Sequence, residues 1–271
     1  MPIPEVSFAA PSDDPPYEDG STAPYTRPMV WYEAVLLLLG GAFAGAINAM
    51  AGGGSMLTVP LLVLAGVEGN AANGSNRVGI VTSNVTSLLS FRGEGVRTDR
   101  NLAPIIVPGL IGAPLGAFVI DRLTDEAFER FFGLLMIPLI VLTIFRPKVK
   151  ADAPPWPMWL TAVVFFGIGV YAGAIQAGVG LVLLTAFSRA GLDLVTANMI
   201  KVIFIFFVTC EALVIFIAQG NVRWGPAFVL AIGLSIGGWT GAKLAVRGGE
   251  KWIRAVMVVS ALALAGRLIF G

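Results

Sequence analysis

The sequence predicts an all-α polytopic membrane protein made of two inverted repeats, each a glycine-broken helix pair followed by three spanning helices (eight spans, ten segments). Three observations predict it. The chain of 271 residues is 56% hydrophobic and only 13% charged, where soluble domains run near 45–50% apolar and about 25% charged. Beyond residue 30 the apolar residues fall in runs of about 20, enough to cross a bilayer core. Finally, Ala44-Gly45-Ala46-Ile47-Asn48-Ala49 returns about 128 residues later as Ala172-Gly173-Ala174-Ile175-Gln176-Ala177, and each copy runs into glycines: Gly52-Gly53-Gly54-Ser55, then Gly178-Val179-Gly180. Paired, interrupted membrane helices are a recurrent way to build a site at mid-bilayer. Short alternating strands, the mark of a membrane barrel, are missing from this pattern.

Each element follows in order. Residues 1–29 carry Glu5, Asp13, Asp14, Glu18 and Asp19 against Arg27. They lack the basic start and apolar core of a signal peptide and read as a disordered acidic tail. The first transmembrane repeat takes residues 30–146. Its first helix spans about 31–51 and is broken at Gly52–Gly54, because glycine is costly in helices and free to turn. A short element follows, from about Ser55 to Ala65, with Pro60 inside it. It is too short to cross, so the pair is a re-entrant hairpin or a broken span. Spans follow at about 71–91, 101–120 and 127–145, the second kinked by Pro104, Pro108 and Pro114.

Residues 147–157 are polar and proline-rich and form the linker. The second repeat takes 158–271: a helix at about 158–177, a break at 178–180, a short piece to about 188, and spans at about 196–218, 225–245 and 253–270. Further pairs keep the register. Gly41-x-x-x-Gly45 matches Gly169-x-x-x-Gly173, Arg77-Val78 matches Lys201-Val202, and Gly112-x-x-x-Gly116 matches Gly237-x-x-x-Gly241.

Basic residues favour the cytoplasmic side. The richest loops are 92–100, 146–150 and 243–254, so all three are placed inside and the acidic 121–129 turn outside. If each glycine-broken pair enters and leaves on one face, the repeats are inverted and both termini lie outside.

Several residues are candidates for chemistry. A helix restarting at Gly53–Ser55 leaves backbone N–H groups unpaired and a partial positive charge at its start. In a dry bilayer these groups need a partner, and an anion serves. Gly178 and Gly180 offer a second such start. The competing explanation is tight packing of small residues. The helix that ends at each break also brings carbonyls, which favour a cation. Asn48 and Gln176 stand just before the breaks and either bind a ligand or bridge helices. Arg77 and Lys201 are bases in otherwise uncharged runs, which costs about 2.5–3.5 kcal/mol on insertion scales; they face a cavity or snorkel to the surface. Asn73, Ser75, Asn76, Thr82, Ser83, Asn84 and Thr86 make the Arg77 helix polar, and Asn198 precedes Lys201 by one turn. Glu211, beside Thr209 and Cys210, either carries a coupling proton or pairs with a base.

The inventory also excludes functions. The chain has no His and one Cys. An internal disulfide, a Cys/His metal site, haem and iron–sulfur ligation are ruled out. No nucleophile elbow or Walker loop is present. A net charge of +1 gives no reason to expect a nucleic-acid partner. The expectation is no enzyme, no cofactor and no metal.

The motif Gly45-x-x-Asn48 running into Gly52-Gly53-Gly54-Ser55, then Pro60, the Asn76-Arg77 pair and the looser echo in the second half resemble the sulfite exporter TauE/SafE family, also called 4-toluene sulfonate uptake permeases. The likeness covers about residues 32–270. It implies a secondary transporter for sulfite, sulfonates or related organosulfur anions in the inner membrane of bacteria. The family shows Asn or Ser beside the base at the Arg77 position, which Asn76 matches; the second half has Ile200 there.

The combined expectation is a carrier of a small sulfur-containing anion, sulfite or an organosulfonate, working by alternating access. The substrate rests between the two breaks, on amides of Gly53, Gly54, Ser55 and Gly178–Gly180, with Asn48, Gln176, Arg77 and Lys201 around it. A passive anion channel and a cation-coupled carrier of another solute are the alternatives. The partners expected are the anion and the lipid bilayer, with a homodimer left open.

Overall fold

The computed structural model describes residues 29–144, 156–188 and 193–270. The acidic tail up to residue 28 and the stretch 145–155, which holds most of the linker and the basic 146–150 cluster, lie outside the described residues. Within them the chain is helical: α1 (Trp31–Ala51), α2 (Ser55–Leu64), α3 (Gly69–Gly93), α4 (Ala103–Asp121), α5 (Asp125–Ile144), α6 (Met158–Ala174), α7 (Val179–Ser188), α8 (Leu194–Ala218) and α9 (Trp224–Phe270). Eight of these match the expected elements to within a few residues.

The ninth does not. The spans expected at 225–245 and 253–270 form one helix of 47 residues. The turn expected around Gly248-Gly249 is helical. Glycine costs only about 1 kcal/mol in a helix interior, and the flanking Leu, Ala, Glu and Lys are strong helix formers. The described residues therefore do not reproduce the three separate spans expected for the second repeat.

Among the described residues, four segments are long and apolar enough to cross a membrane: Trp31–Met50, Ala103–Asp121, Leu194–Ala218 and Trp224–Gly248. Helix α3 is as long as α8 but far more polar, because its polar residues point inward. Asn70, Asn73, Ser75, Asn76, Arg77, Ser83, Asn84, Ser87 and Ser90 are all buried. Large apolar residues such as Leu39, Phe43, Ile111, Val119, Leu134, Val214 and Ile232 instead face outward, where lipid covers them at no cost. Trp31, Trp159 and Trp224 stand exposed at helix starts, as interfacial aromatic residues do. This is the surface of a multi-pass membrane protein.

Two helical hairpins organise the core. Helix α2 runs back along α1: Gly40 lies against Leu61, and a Cβ on Gly54 would overlap the carbonyl oxygen of Ala44. Helix α7 likewise runs back along α6, with Phe165 stacked on Phe187 at 5.8 Å. Both pairs are therefore hairpins rather than broken spans. Small residues let each first helix lie close to a helix of the other half. Gly41 and Gly45 of α1 meet Leu230 and Leu234 of α9, while Gly233, Gly237 and Gly241 of α9 meet Leu38, Ala42 and Ala46. Gly169 and Gly173 of α6 meet Gly109 and Ala113 of α4, whose Gly112 and Gly116 meet Phe166 and Val170. Each pair runs parallel.

Helices α3 and α9 also run parallel, stitched from end to end. Ser75 Oγ accepts from the Arg223 amide at 2.8 Å; Thr86 Oγ1 donates to Ser235 O at 2.9 Å and Ser90 Oγ to Trp239 O at 2.9 Å. Ion pairs close both ends, Arg223–Glu68 at 3.0 Å and Arg247–Glu94 at 2.9 Å. At the first end Asn70 also donates to Asp125 Oδ1 through its amide and to the Leu123 carbonyl through its side chain, and Asn221 donates to Asp121.

Candidate functional site

The two hairpin tips meet in the centre of the bundle. Helix α1 ends because Gly52 turns left-handed (φ +79°) and its amide bonds the carbonyls of Ile47 and Asn48, a common helix stop. Helix α6 ends at Ala174, and the chain then turns through Gln176 (φ +63°) and Gly178 (φ +70°). A positive φ at a non-glycine residue is uncommon. Here Gln176 is held on three sides. Its carbonyl accepts from Ser55 Oγ at 3.1 Å, and its side-chain oxygen accepts from Thr209 Oγ1 at 3.0 Å and Arg77 Nη1 at 3.3 Å. Gly52 and Gly180 touch backbone to backbone, and Gly178 packs on Met56. Sequence reasoning placed the breaks together, and they are together.

The two bases reach across. Lys201 on α8 donates to the carbonyls of Asn48 at 2.6 Å and Ala49 at 3.3 Å, and to Asn198 Oδ1 at 2.7 Å. Arg77 on α3 donates to the carbonyls of Ala172 at 3.1 Å, Gly173 at 2.5 Å and Ala174 at 3.1 Å. Each base thus closes the carbonyl end of the broken helix from the other half. That end carries the negative pole of the helix dipole, which favours a cation. Neither base is exposed at all, so the snorkelling alternative does not apply. The Arg77 guanidinium also lies 4.6 Å from the centre of the Phe216 ring, a cation–π distance.

The amide ends of the second helices are different. Among the described residues, the N–H groups of Gly53, Gly54 and Ser55, and those of Gly178 and Gly180, meet no hydrogen-bond acceptor. The Gly52 amide is consumed by the cap of α1 and is not among them. The glycines also differ in the space around them. Gly52, Gly54 and Gly180 leave no room for a Cβ, so close packing explains why they are glycine. Gly53 has room: its nearest neighbour is Leu181 at 3.7 Å.

Other polar groups line the same region without partners. Asn76 lies fully buried on α3 with neither side-chain atom bonded, and Asn73 Oδ1, Asn84 Nδ2 and Arg77 Nε are also unbonded among the described residues. Asn48 is buried beside them. Unsatisfied buried polar atoms are rare and call for an explanation. Thr209 and Asn198 are structural partners of the site that sequence reasoning noticed without assigning. Tyr171, whose hydroxyl donates to the carbonyl of Ala177, went unnoticed, since a tyrosine in an apolar helix gives no signal. Glu211 is not brought to the tips. It is half-buried on α8, flanked by the outward-facing Phe207 and Val214, and its Oε2 has no partner among the described residues. No group of His, Cys, Asp or Glu among the described residues could hold a metal ion.

The profile of the family described as Sulfite exporter TauE/SafE matches residues 37–268. The chain is similar to "Probable membrane transporter protein ORF9" of Sinorhizobium sp, 24% identical over 89% of this chain and 94% of that one. It is similar to "Probable membrane transporter protein" of Haemophilus influenzae, 23% identical over 87% and 94% of the two chains. It is also similar to "Probable membrane transporter protein YfcA" of Escherichia coli K12, 25% identical over 86% and 90%. No solved structure matches it. With a hairpin of interrupted helices from each half meeting at its centre, the chain belongs to the TauE/SafE sulfite exporter family.

Proposed function

We propose that this protein is a secondary transporter that moves a small sulfur-containing anion, sulfite or an organosulfonate, across the bacterial cytoplasmic membrane by alternating access. Transport itself agrees with the family and with the names of the relatives. One observation carries the choice of an anion. Each broken helix presents a carbonyl end and an amide end to the membrane centre, and only the amide ends are free. The carbonyls that would attract sodium are already bonded to Lys201 and Arg77. The amides of Gly53, Gly54, Ser55, Gly178 and Gly180 remain as donors, and a tetrahedral or pyramidal oxyanion needs several at once. Asn48 and Asn76 add amide groups nearby. Arg77 and Lys201 act from behind, supplying positive potential while holding the hairpins in shape.

Alternating access is supported by how the halves interlock. Helix α1 starts at the same end of the bundle as α9, whereas α6 starts at the opposite end with α4, which agrees with inverted repeats. Helices α1, α3 and α9 form one packed group and α4 and α6 another, with α8 packed against α3 as well as α4. The tips and the two bases bridge them, so a tilt between groups would expose the tips to one side at a time. The 92–100 connection and Arg247 share one end, which the charge rule assigns to the cytoplasm.

The test is flux in sealed proteoliposomes. Sulfite should accumulate against its own gradient when a proton or sodium gradient is imposed. Flux that only runs downhill under every gradient would make the protein a channel, and no saturable sulfite flux would remove the substrate assignment.

A further inference from the structure

A cavity of about 470 Å³ lies at the Glu94 end of the bundle, between the last turn of α3, the connection to α4 and the early turns of α8. Arg92, Arg97 and Arg100 wall it, together with a single acid, Asp99; Leu88, Met199 and Ile203 give it an apolar floor. Among the described residues, none of the three guanidinium groups meets a carboxylate or any other acceptor. Elsewhere Arg130, Arg223 and Arg247 all have carboxylate partners at 2.6–3.0 Å. Three free guanidinium forks around an open concave space suit oxygens of a sulfonate or phosphate. A continuous face of α3 leads inward from the cavity: Arg92, Leu88, Asn84, Ile80 and Arg77 recur every three or four residues. Asn84 on that face has its buried Nδ2 without a partner among the described residues.

We infer that this cavity is a second anion site, which takes an oxyanion bearing an apolar arm: oxygens on Arg92, Arg97 and Arg100, and the arm on Leu88, Met199 and Ile203. Its role as an antechamber to the hairpin tips rests on the transport reading above; its binding chemistry does not. A soluble sulfonate and an anionic phospholipid headgroup share that chemistry.

The experiment uses the full chain in phosphatidylcholine nanodiscs, with and without phosphatidylglycerol. The Gly53→Ala background isolates the cavity from the tips. Calorimetry with 1-butanesulfonate is expected to show binding that Arg97→Gln/Arg100→Gln weakens at least tenfold. Both residues sit in an exposed connection, and an unchanged melting curve checks the fold. If butanesulfonate binding is unaffected but the double variant loses phosphatidylglycerol retained in native mass spectrometry, the site stands with the lipid as its source. If neither ligand responds, the inference is overturned. Absence of sulfite flux by the wild type, with butanesulfonate binding still lost in the double variant, would sink the transport reading and leave this site intact. Flux abolished by Gly53→Ala, with both cavity ligands indifferent to the double variant, would do the reverse.

Discussion

The ammonium of Lys201 lies 2.6 Å from the carbonyl oxygen of Asn48, a residue 153 positions away in the other half of the chain. Arg77 does the same to Gly173 from the opposite direction, at 2.5 Å. The buried charges therefore hold the breaks open: each stops a broken helix from leaving bare carbonyls in hydrocarbon. That relationship yields the first prediction.

Arg77→Met should destabilise the fold before it alters transport. It strands three main-chain carbonyls, each costing about 1–3 kcal/mol when buried and unpaired. Arg77→Lys should recover part of the loss, since an ammonium performs the equivalent task at Lys201. Thermal unfolding in detergent can be followed by dye labelling of Cys210, the one thiol in the chain. Equal melting temperatures for Arg77→Met and wild type would contradict the capping role.

Gly53→Ala and Gly54→Ala should separate ligand binding from packing. At Gly53 a methyl group meets only Leu181, at 3.7 Å. That variant should fold normally and lose sulfite flux at least tenfold, because the methyl group occupies the space in front of the free amides. At Gly54 the methyl group would collide with the Ala44 carbonyl. That variant should show low yield and a lowered melting temperature.

The glycines of α6 offer a second contrast. Gly167 has nothing within 4 Å of a built Cβ, whereas at Gly173 a Cβ would overlap the Ala113 carbonyl. Gly167→Ala should stabilise by roughly 0.5–1 kcal/mol through helix propensity. Gly173→Ala should destabilise, by forcing α6 away from α4. Melting curves of the two single variants check both signs.

The Glu94–Arg247 pair ties α3 to α9 at the surface. The Arg247 hydrogen bond holds the Glu94 carboxylate below its ordinary value. A depressed acid contributes stability that is complete above its unfolded value and is lost as pH falls through the folded one. Wild type should therefore lose more stability than Glu94→Gln on acidification below the ordinary carboxylate range. The difference should shrink in high salt, since the pair is solvent-screened. Identical acid profiles for the two would show that the pair contributes nothing.

The fold was legible where composition and glycine carried it. The run lengths placed α1 to α8, and Gly52 and Gly178 marked both turns, because few other residues tolerate a left-handed backbone. Gly248-Gly249 misled for the same reason: glycine permits a turn but does not compel one. The site was half legible. The symmetry of Arg77 and Lys201 singled both out, but not what they touch, because a carbonyl partner leaves no side-chain signature. Glu211 attracted notice as a lone acid in a span, yet its position around the helix axis turned it from the tips. Spacing alone indicates depth along a helix; the facing direction needs the neighbours.

The Gly41–Gly45 stripe of α1 packs directly on the backbone of α9. The ribosome makes the first of these well before the second. Until residues near Gly241 have emerged, that groove has only lipid against it, and the Asn48 carbonyl awaits Lys201. Assembly therefore waits for a late docking step, so truncation after α8 should leave an inserted but unassembled chain that quality-control proteases recognise.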